Sequence, residues 1–227
     1  MKIKNKELLL LILSILFILI IICRNKTYKN MTYKKTCTCF QHNKTFKITN
    51  ESYEYVKNYK KELIRNITKL LNDLNIKFSV ADGMLLEYER GEIIYNDDDV
   101  DIRFDNNDFK KWENFCNNNS RELDEYNLIF DNRFKNIKQQ KIDGIQCSLI
   151  NFDGSSKYKD IDIHLDLISS NVENKFWPDF NINFNNLRKV KIYNVETFIP
   201  SNDDAIEYLK FIYGPNYIIP ECLYELK

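Results

Sequence analysis

Glycine and proline are scarce, 5 and 4 among 227 residues. That excludes a collagen-like repeat and a Pro/Gly-rich disordered chain. Only two histidines are present, and the six cysteines do not form two ligand pairs at zinc-site spacing. Cys37 and Cys39, with His42 nearby, make a lone C-x-C, which reads as stem thiols pairing in an oxidising compartment and not as a zinc site. A basic excess is also lacking, since the net charge is zero. The charge is unevenly spread: residues 1–23 carry +2, residues 24–50 carry +7 with no acid, and the rest sums to −9. An acidic body of this kind excludes non-specific nucleic-acid binding, which needs a basic footprint. It suits the holding of divalent cations.

What the chain does have begins with LLLLILSILFILIIIC, residues 8–23, with one Ser and no charge. Sixteen helical residues span about 24 Å, a little short of a ~30 Å hydrocarbon core. No small-x-small cleavage site precedes Arg24, so the run reads as an uncleaved signal anchor. Residues 24–50 follow as a basic polar stem, and residues 51–227 as the catalytic body. Asn25, Asn30, Asn43, Asn50, Asn66 and Asn118 all stand in N-x-S/T, which favours a lumenal body. The expectation is a single-pass type II membrane protein, held by one N-terminal helix, with its catalytic domain in the Golgi or endoplasmic reticulum lumen.

The body alternates helical and strand periods. Val56, Tyr59, Leu63, Ile67, Leu70, Leu71 and Leu74 recur at three- and four-residue steps, one apolar helical face capped at Thr49 or Asn50. Strands are expected at 76–80, 100–104, 127–130, 145–152, 160–169 and 189–195. Helical turns are expected in MLLEYER, around Phe109, Trp112 and Phe115, and from the cap Ser201 or Asn202 to the stop at Gly214-Pro215. This pattern predicts an α+β domain, a mixed β-sheet flanked by helices.

The chemistry concentrates in NDDDVDIRF, residues 96–104. Like charges packed this tightly repel, and in a strand alternate side chains share a face. Asp99, Asp101 and Arg103 therefore stand on one face, and Val100, Ile102 and Phe104 on the other. Two carboxylates on one strand face converge on a hard cation, Mg²⁺ or Mn²⁺, which would also answer the repulsion. A solvated acidic turn is the bland alternative. KDIDIHLDLIS, residues 159–169, weighs against it, with Asp160, Asp162, His164 and Asp166 on one face and Ile161, Ile163, Leu165 and Leu167 on the other. If the two strands are neighbours, three carboxylates cluster as in two-metal phosphoryl transfer. His164 could be a base or ligand, or an edge-strand histidine without a role. Arg90 has the fork geometry of a phosphate contact, or forms a salt bridge with Glu87 or Glu92.

The order Asp82-Gly83-Met84-Leu85-Leu86, Arg90, Ile93-Ile94, then Asp97-Asp98-Asp99-Val100-Asp101-Ile102, resembles the LicD/fukutin-related family. Ile161 to Leu167 is similar to that family's later V-D-I-F-P-L-D-like strand, and Tyr208-Leu209, Tyr213-Gly214 and Pro220 to its ending. The resemblance implies a nucleotidyltransferase-like fold. It also implies transfer of a phospho-alcohol (ribitol phosphate, glycerol phosphate or phosphocholine) from a CDP-activated donor onto a glycan acceptor. By position it makes Asp99 and Asp101 the metal ligands, Asp162 the third carboxylate, and Gly83 the point of close backbone approach to the donor. Met84 stands where the family has Ser or Thr, which motivates the alternative of an inactive, glycan-binding accessory protein.

Overall fold

The computed structural model describes residues 47–94, 97–152, 163–169, 182–218 and 225–226. They fall into two compact units. In the first, Lys47–Ile48 (β1) pairs in parallel with Glu225–Leu226, Lys47 opposite Glu225 and Ile48 opposite Leu226. The second runs Thr49–Pro220 and holds the hydrophobic core.

That unit opens with α1, Asn50–Asp73. A reciprocal capping box starts the helix: the Ser52 amide donates to Thr49 Oγ1 at 3.1 Å, and the Thr49 amide donates to Ser52 Oγ at 3.2 Å. Such a cap satisfies two otherwise orphaned amides. Val56, Leu63, Ile64, Ile67, Leu70 and Leu71 are buried along one face, and Asn75 turns the chain with φ of 52°. Although α1 has 24 residues, its other face is charged. Among the described residues no helix is long and apolar enough to cross a membrane. This corrects the expected single-pass type II placement in the Golgi or endoplasmic reticulum; the apolar run at residues 8–23 lies outside the described residues, as do Cys37 and Cys39.

The chain continues through β2 (Phe78–Val80), α2 (Asp82–Arg90), β3 (Asp99–Phe104), α3 (Phe109–Asn118), β4 (Glu122–Leu123), β5 (Leu128–Phe130), α4 (Ile137–Asp143), β6 (Ile145–Leu149) and β7 (His164–Ser169). It ends in β8 (Leu187–Ile192), β9 (Val195–Pro200) and α5 (Asn202–Tyr213). One six-stranded sheet has the order β2-β3-β7-β6-β5-β4. The β3–β7 pair is parallel and its other neighbours are antiparallel. The architecture is thus mixed α+β. Val100, Ile102, Leu165 and Leu167, on the apolar face of β3 and β7, are all buried.

Two elements differ from expectation. The strand expected at 189–195 holds as β8 only to Ile192; Tyr193 and Asn194, at φ of 50° and 65°, then turn the chain into β9. Two consecutive left-handed residues match the twist of a tight hairpin. The helix α4, only seven residues long, is too short to show a helical period.

Aromatic residues fill the other end of the core. Trp112 packs against Phe104, Phe115, Phe130 and Phe134. Its indole donates to Gln140 Oε1 at 2.7 Å, and the Gln140 amide donates to the carbonyls of Arg133 and Phe134. Cys116 and Cys147 are free and buried; burial pushes the Cys116 thiol up to about 12, so it is unreactive. Gln140→Ala takes the partner from the buried indole N–H and from the Phe134 carbonyl, while the Arg133 carbonyl keeps the Asn136 amide. The expected loss is about 1–3 kcal/mol, measured as a lower urea midpoint at unchanged m-value.

Candidate functional site

Parallel pairing of β3 with β7 sets Asp99 opposite His164 and Asp101 opposite Asp166. Residues opposite each other share a face, so all four polar side chains stand together, away from Val100 and Leu165. One ligand atom each from Asp99, His164 and Asp166 lies within 4.8 Å of the others. His164 Nε2 is 3.6 Å from Asp166 Oδ1. Asp101 is 3% exposed. Its Oδ2 accepts from the Gly83 amide at 3.0 Å, while its Oδ1 is buried and has no hydrogen-bond partner among the described residues.

Electrostatics follow from that crowding. Burial pushes Asp101 well above the usual carboxylate range, and the like charges of Asp82, Asp99, Asp97 and Asp166 add to it. Burial likewise raises Asp99 and Asp166. Asp97 is pushed up to about 7, mainly by burial, against the pull of Lys60. Four neighbouring carboxylates are therefore shifted one way, each chiefly by burial, which penalises the charged form.

Two ion pairs flank the group. Asp82, at the start of α2 with φ of 41°, accepts from Arg103 Nε and Nη2 at 3.2 Å each and from the Tyr208 hydroxyl. Lys60, fully buried, donates to Glu87 Oε1 at 2.9 Å and to Asp97 Oδ2 at 3.2 Å. Glu87 also accepts from the Ile94 amide at 2.9 Å and from the Tyr193 hydroxyl. Burial alone would lower the Lys60 ammonium, but Glu87 and Asp97 outweigh it and hold it raised and protonated. Asp97 in turn lies over Gly83: a Cβ there would sit 2.4 Å from Asp97 Oδ2. Only glycine fits under this carboxylate, so the close approach at Gly83 is made by the protein's own Asp97.

Of the residues singled out from the sequence, Asp99 and Asp101 lie in the group and Gly83 touches it. Asp162 lies outside the described residues, and the described β7 carboxylate that joins Asp99 is Asp166. His164 stands inside the group. Arg90 does not: its Nε and Nη2 donate to the Tyr217 carbonyl at 2.9 and 2.5 Å. Asp98 is exposed; its carbonyl accepts from the His164 amide at 3.0 Å, and its charge adds to the rise of Asp99 and Asp166. Met84, where a hydroxyl residue was expected, is fully buried in the core. Lys60, Asp82 and Arg103 were missed as parts of the site. Lys60 had a signal, a lone charge four residues after Val56 and three before Leu63 on an otherwise apolar face.

A divalent cation suits this donor set. Carboxylate oxygens are hard ligands appropriate to Mg²⁺ or Mn²⁺, and an imidazole is compatible with the latter. The buried, unpartnered Asp101 Oδ1 is the observation that fits a cation best, because such an oxygen carries a full desolvation cost. Asp99 and Asp166, whose ligand atoms converge with that of His164, would hold the ion together with Asp101, which stands opposite Asp166.

No protein-family model matches the chain, and no curated protein does. Among solved structures, the chain is similar to the crystal structure of ANT(2'')-Ia in complex with adenylyl-2''-tobramycin. The identity is 15%, over 70% of this chain and 79% of that one, with a TM-score of 0.37. It is also similar to the solution structure of the antibiotic-resistance factor ANT(2'')-Ia, at 13% identity over 71% of this chain and 76% of that one, with a TM-score of 0.34. Both are structures of an aminoglycoside nucleotidyltransferase. These findings correct the expected LicD/fukutin-related membership: neither a family model nor a sequence match supports it. The short motifs that suggested it are met by local requirements, Gly83 by Asp97 and Met84 by the core. A likeness at these scores says nothing of donor or acceptor.

Proposed function

We propose that this chain is a metal-dependent transferase that moves a phosphorus-containing group from a nucleotide-activated donor onto a hydroxyl acceptor. The finer expectation, a phospho-alcohol moved from a CDP-activated donor onto a glycan, belongs to the same proposal. The buried, unpartnered Asp101 Oδ1 beside Asp99 and Asp166 is the observation that carries it. A bound divalent cation would neutralise charge on the donor's phosphate oxygens. Asp99, Asp101 and Asp166 would set where those oxygens lie. His164, 3.6 Å from Asp166, is the imidazole of this set and would take the proton from the acceptor hydroxyl. The accessory-protein alternative rested on Met84, which packs in the core and away from this chemistry.

The test incubates the full chain with Mn²⁺ or Mg²⁺ and either CDP-ribitol, CDP-glycerol, CDP-choline or each of the four nucleoside triphosphates, together with a panel of glycans. The expected result is metal-dependent release of CMP from a CDP donor. Release of pyrophosphate from a triphosphate instead would keep the transferase and discard the CDP donor. No turnover of any donor with any acceptor would defeat the proposal.

A further inference from the structure

The polar face of the sheet continues past the aspartates. Gln146 on β6 stands opposite Asp166, and Ser148 stands opposite Ile129 on β5. Over this face opens a cleft of about 220 Å³ whose walls include Ile129, Asp131, Gln146, Ser148 and His164. His164 thus belongs both to the cation-suited group and to the cleft wall. Asp131 is fixed in place, since its Oδ1 accepts from the Arg133 amide at 2.8 Å and its Oδ2 from Arg133 Nε at 2.7 Å. Asp131, Gln146, Ser148 and His164 are all half-exposed. Together they offer carboxylate, amide, hydroxyl and imidazole groups, donors and acceptors alternately.

The shape and chemistry discriminate between ligands. The cleft is smaller than the ~300–1,000 Å³ of sites for drug-sized ligands, too small for a whole nucleotide. Phe130, its aromatic wall residue, is 1% exposed and presents no ring face for a base to stack on. A single compact, hydroxyl-rich group is what such a lining recognises.

We propose that this cleft is the acceptor subsite of the transferase, taking one sugar ring or a short polyol and turning a hydroxyl toward His164 and Asp166. The inference rests on the transferase reading above.

Saturation-transfer NMR on the full chain tests it, with methyl α-D-glucopyranoside, methyl β-D-galactopyranoside, N-acetylglucosamine and ribitol as sugar probes and CMP as the donor-side probe. Mn²⁺ binding is followed separately by water-proton relaxation. At least one sugar probe is expected to receive saturation. Ser148→Trp, which fills the cleft, should abolish that signal, and Gln146→Leu should weaken binding about tenfold, the worth of one hydrogen bond left unmade. Both variants should keep wild-type circular dichroism, and Ser148→Trp should also keep wild-type Mn²⁺ affinity; Gln146→Leu removes a hydrogen bond to Asp166 and is read on the sugar alone. The proposal is overturned if no sugar probe gives a signal, if the signal survives Ser148→Trp, or if CMP is the probe that Ser148→Trp displaces. A wild-type protein that binds Mn²⁺ but no sugar keeps the metal centre and loses the subsite. One that binds sugar in the cleft but no Mn²⁺ loses the transfer reaction, and with it the role of acceptor subsite.

Discussion

Asp101→Asn is expected to abolish transfer and, without metal, to make the protein more stable. The two effects have one cause. Asp101 is buried, is repelled by Asp82, Asp99, Asp97 and Asp166, and keeps one oxygen without a partner. Removing its charge relieves the repulsion, while Asn Oδ1 can still accept from the Gly83 amide. We expect a measurable gain in stability at pH 8, because burial and the neighbouring like charges disfavour the ionised form. The loss of a metal ligand removes several kcal/mol of charge stabilisation from the reaction, so the rate should fall by about 10³ or more.

The pH dependence gives a second reading of the same effect. These carboxylates have folded-state pKa values raised above their unfolded values. Their contribution to stability is therefore fully present below the ordinary aspartate pKa of about 3.9. It is lost as pH rises through the folded values, of which Asp97 marks one at about 7. The metal-free wild type should weaken from about pH 4 to 8, and the advantage of Asp101→Asn should grow over that window and vanish at its acid end. Mn²⁺ at about 100 times its dissociation constant should add about 2.7 kcal/mol to the wild type, roughly 5–10 °C in Tm, and little to the variant. If Asp101→Asn is instead destabilised at pH 8 without metal, or Mn²⁺ leaves the wild-type Tm unchanged, the buried oxygen is not waiting for a cation.

Lys60→Met should be among the most destabilising single substitutions in the body. The Lys60 side chain is fully buried and neutralises Glu87 and Asp97 at once. Met fills the same space but leaves the buried Glu87 and the half-buried Asp97 carboxylates without their cation. Breaking a buried pair in this way costs about 3–5 kcal/mol, or roughly 6–20 °C in Tm for a domain of this size. Adding Glu87→Gln should recover part of the loss, because one stranded charge is removed. Equilibrium urea unfolding of the wild type, both single variants and the double variant gives the coupling energy. A Lys60→Met cost below about 1 kcal/mol, the range of surface pairs, would show that the network contributes no more than an exposed salt bridge.

Periodicity made some of this legible. The α1 face and its cap at Thr49, the alternation of β3 and β7, and the last helix all follow from spacing and capping residues close in sequence. The β8–β9 hairpin was not legible, because its turn is Tyr193-Asn194 with no glycine to mark the reversal. Lys60 was passed over because a lone lysine in a helix reads as solvated until its partners, 27 and 37 residues away, are known. The family resemblance misled for a related reason. Met84, Leu85 and Leu86 are buried in the core and Gly83 lies under Asp97, so these short motifs answer to local packing.

By itself the sequence determined which faces are polar: Asp99 with Asp101, and Asp160, Asp162, His164 and Asp166 together, since alternation is a property of any strand. It could not choose among the second set, because a period of two leaves every member equivalent. Among its described members, the tertiary structure sets His164 opposite Asp99 and Asp166 opposite Asp101 by pairing β3 parallel to β7, while Asp160 and Asp162 lie outside the described residues. Register is a long-range property, fixed by how the apolar face of both strands packs into one core. The same packing buries Asp101 and leaves its oxygen unpaired, and from that the chemistry of the site follows.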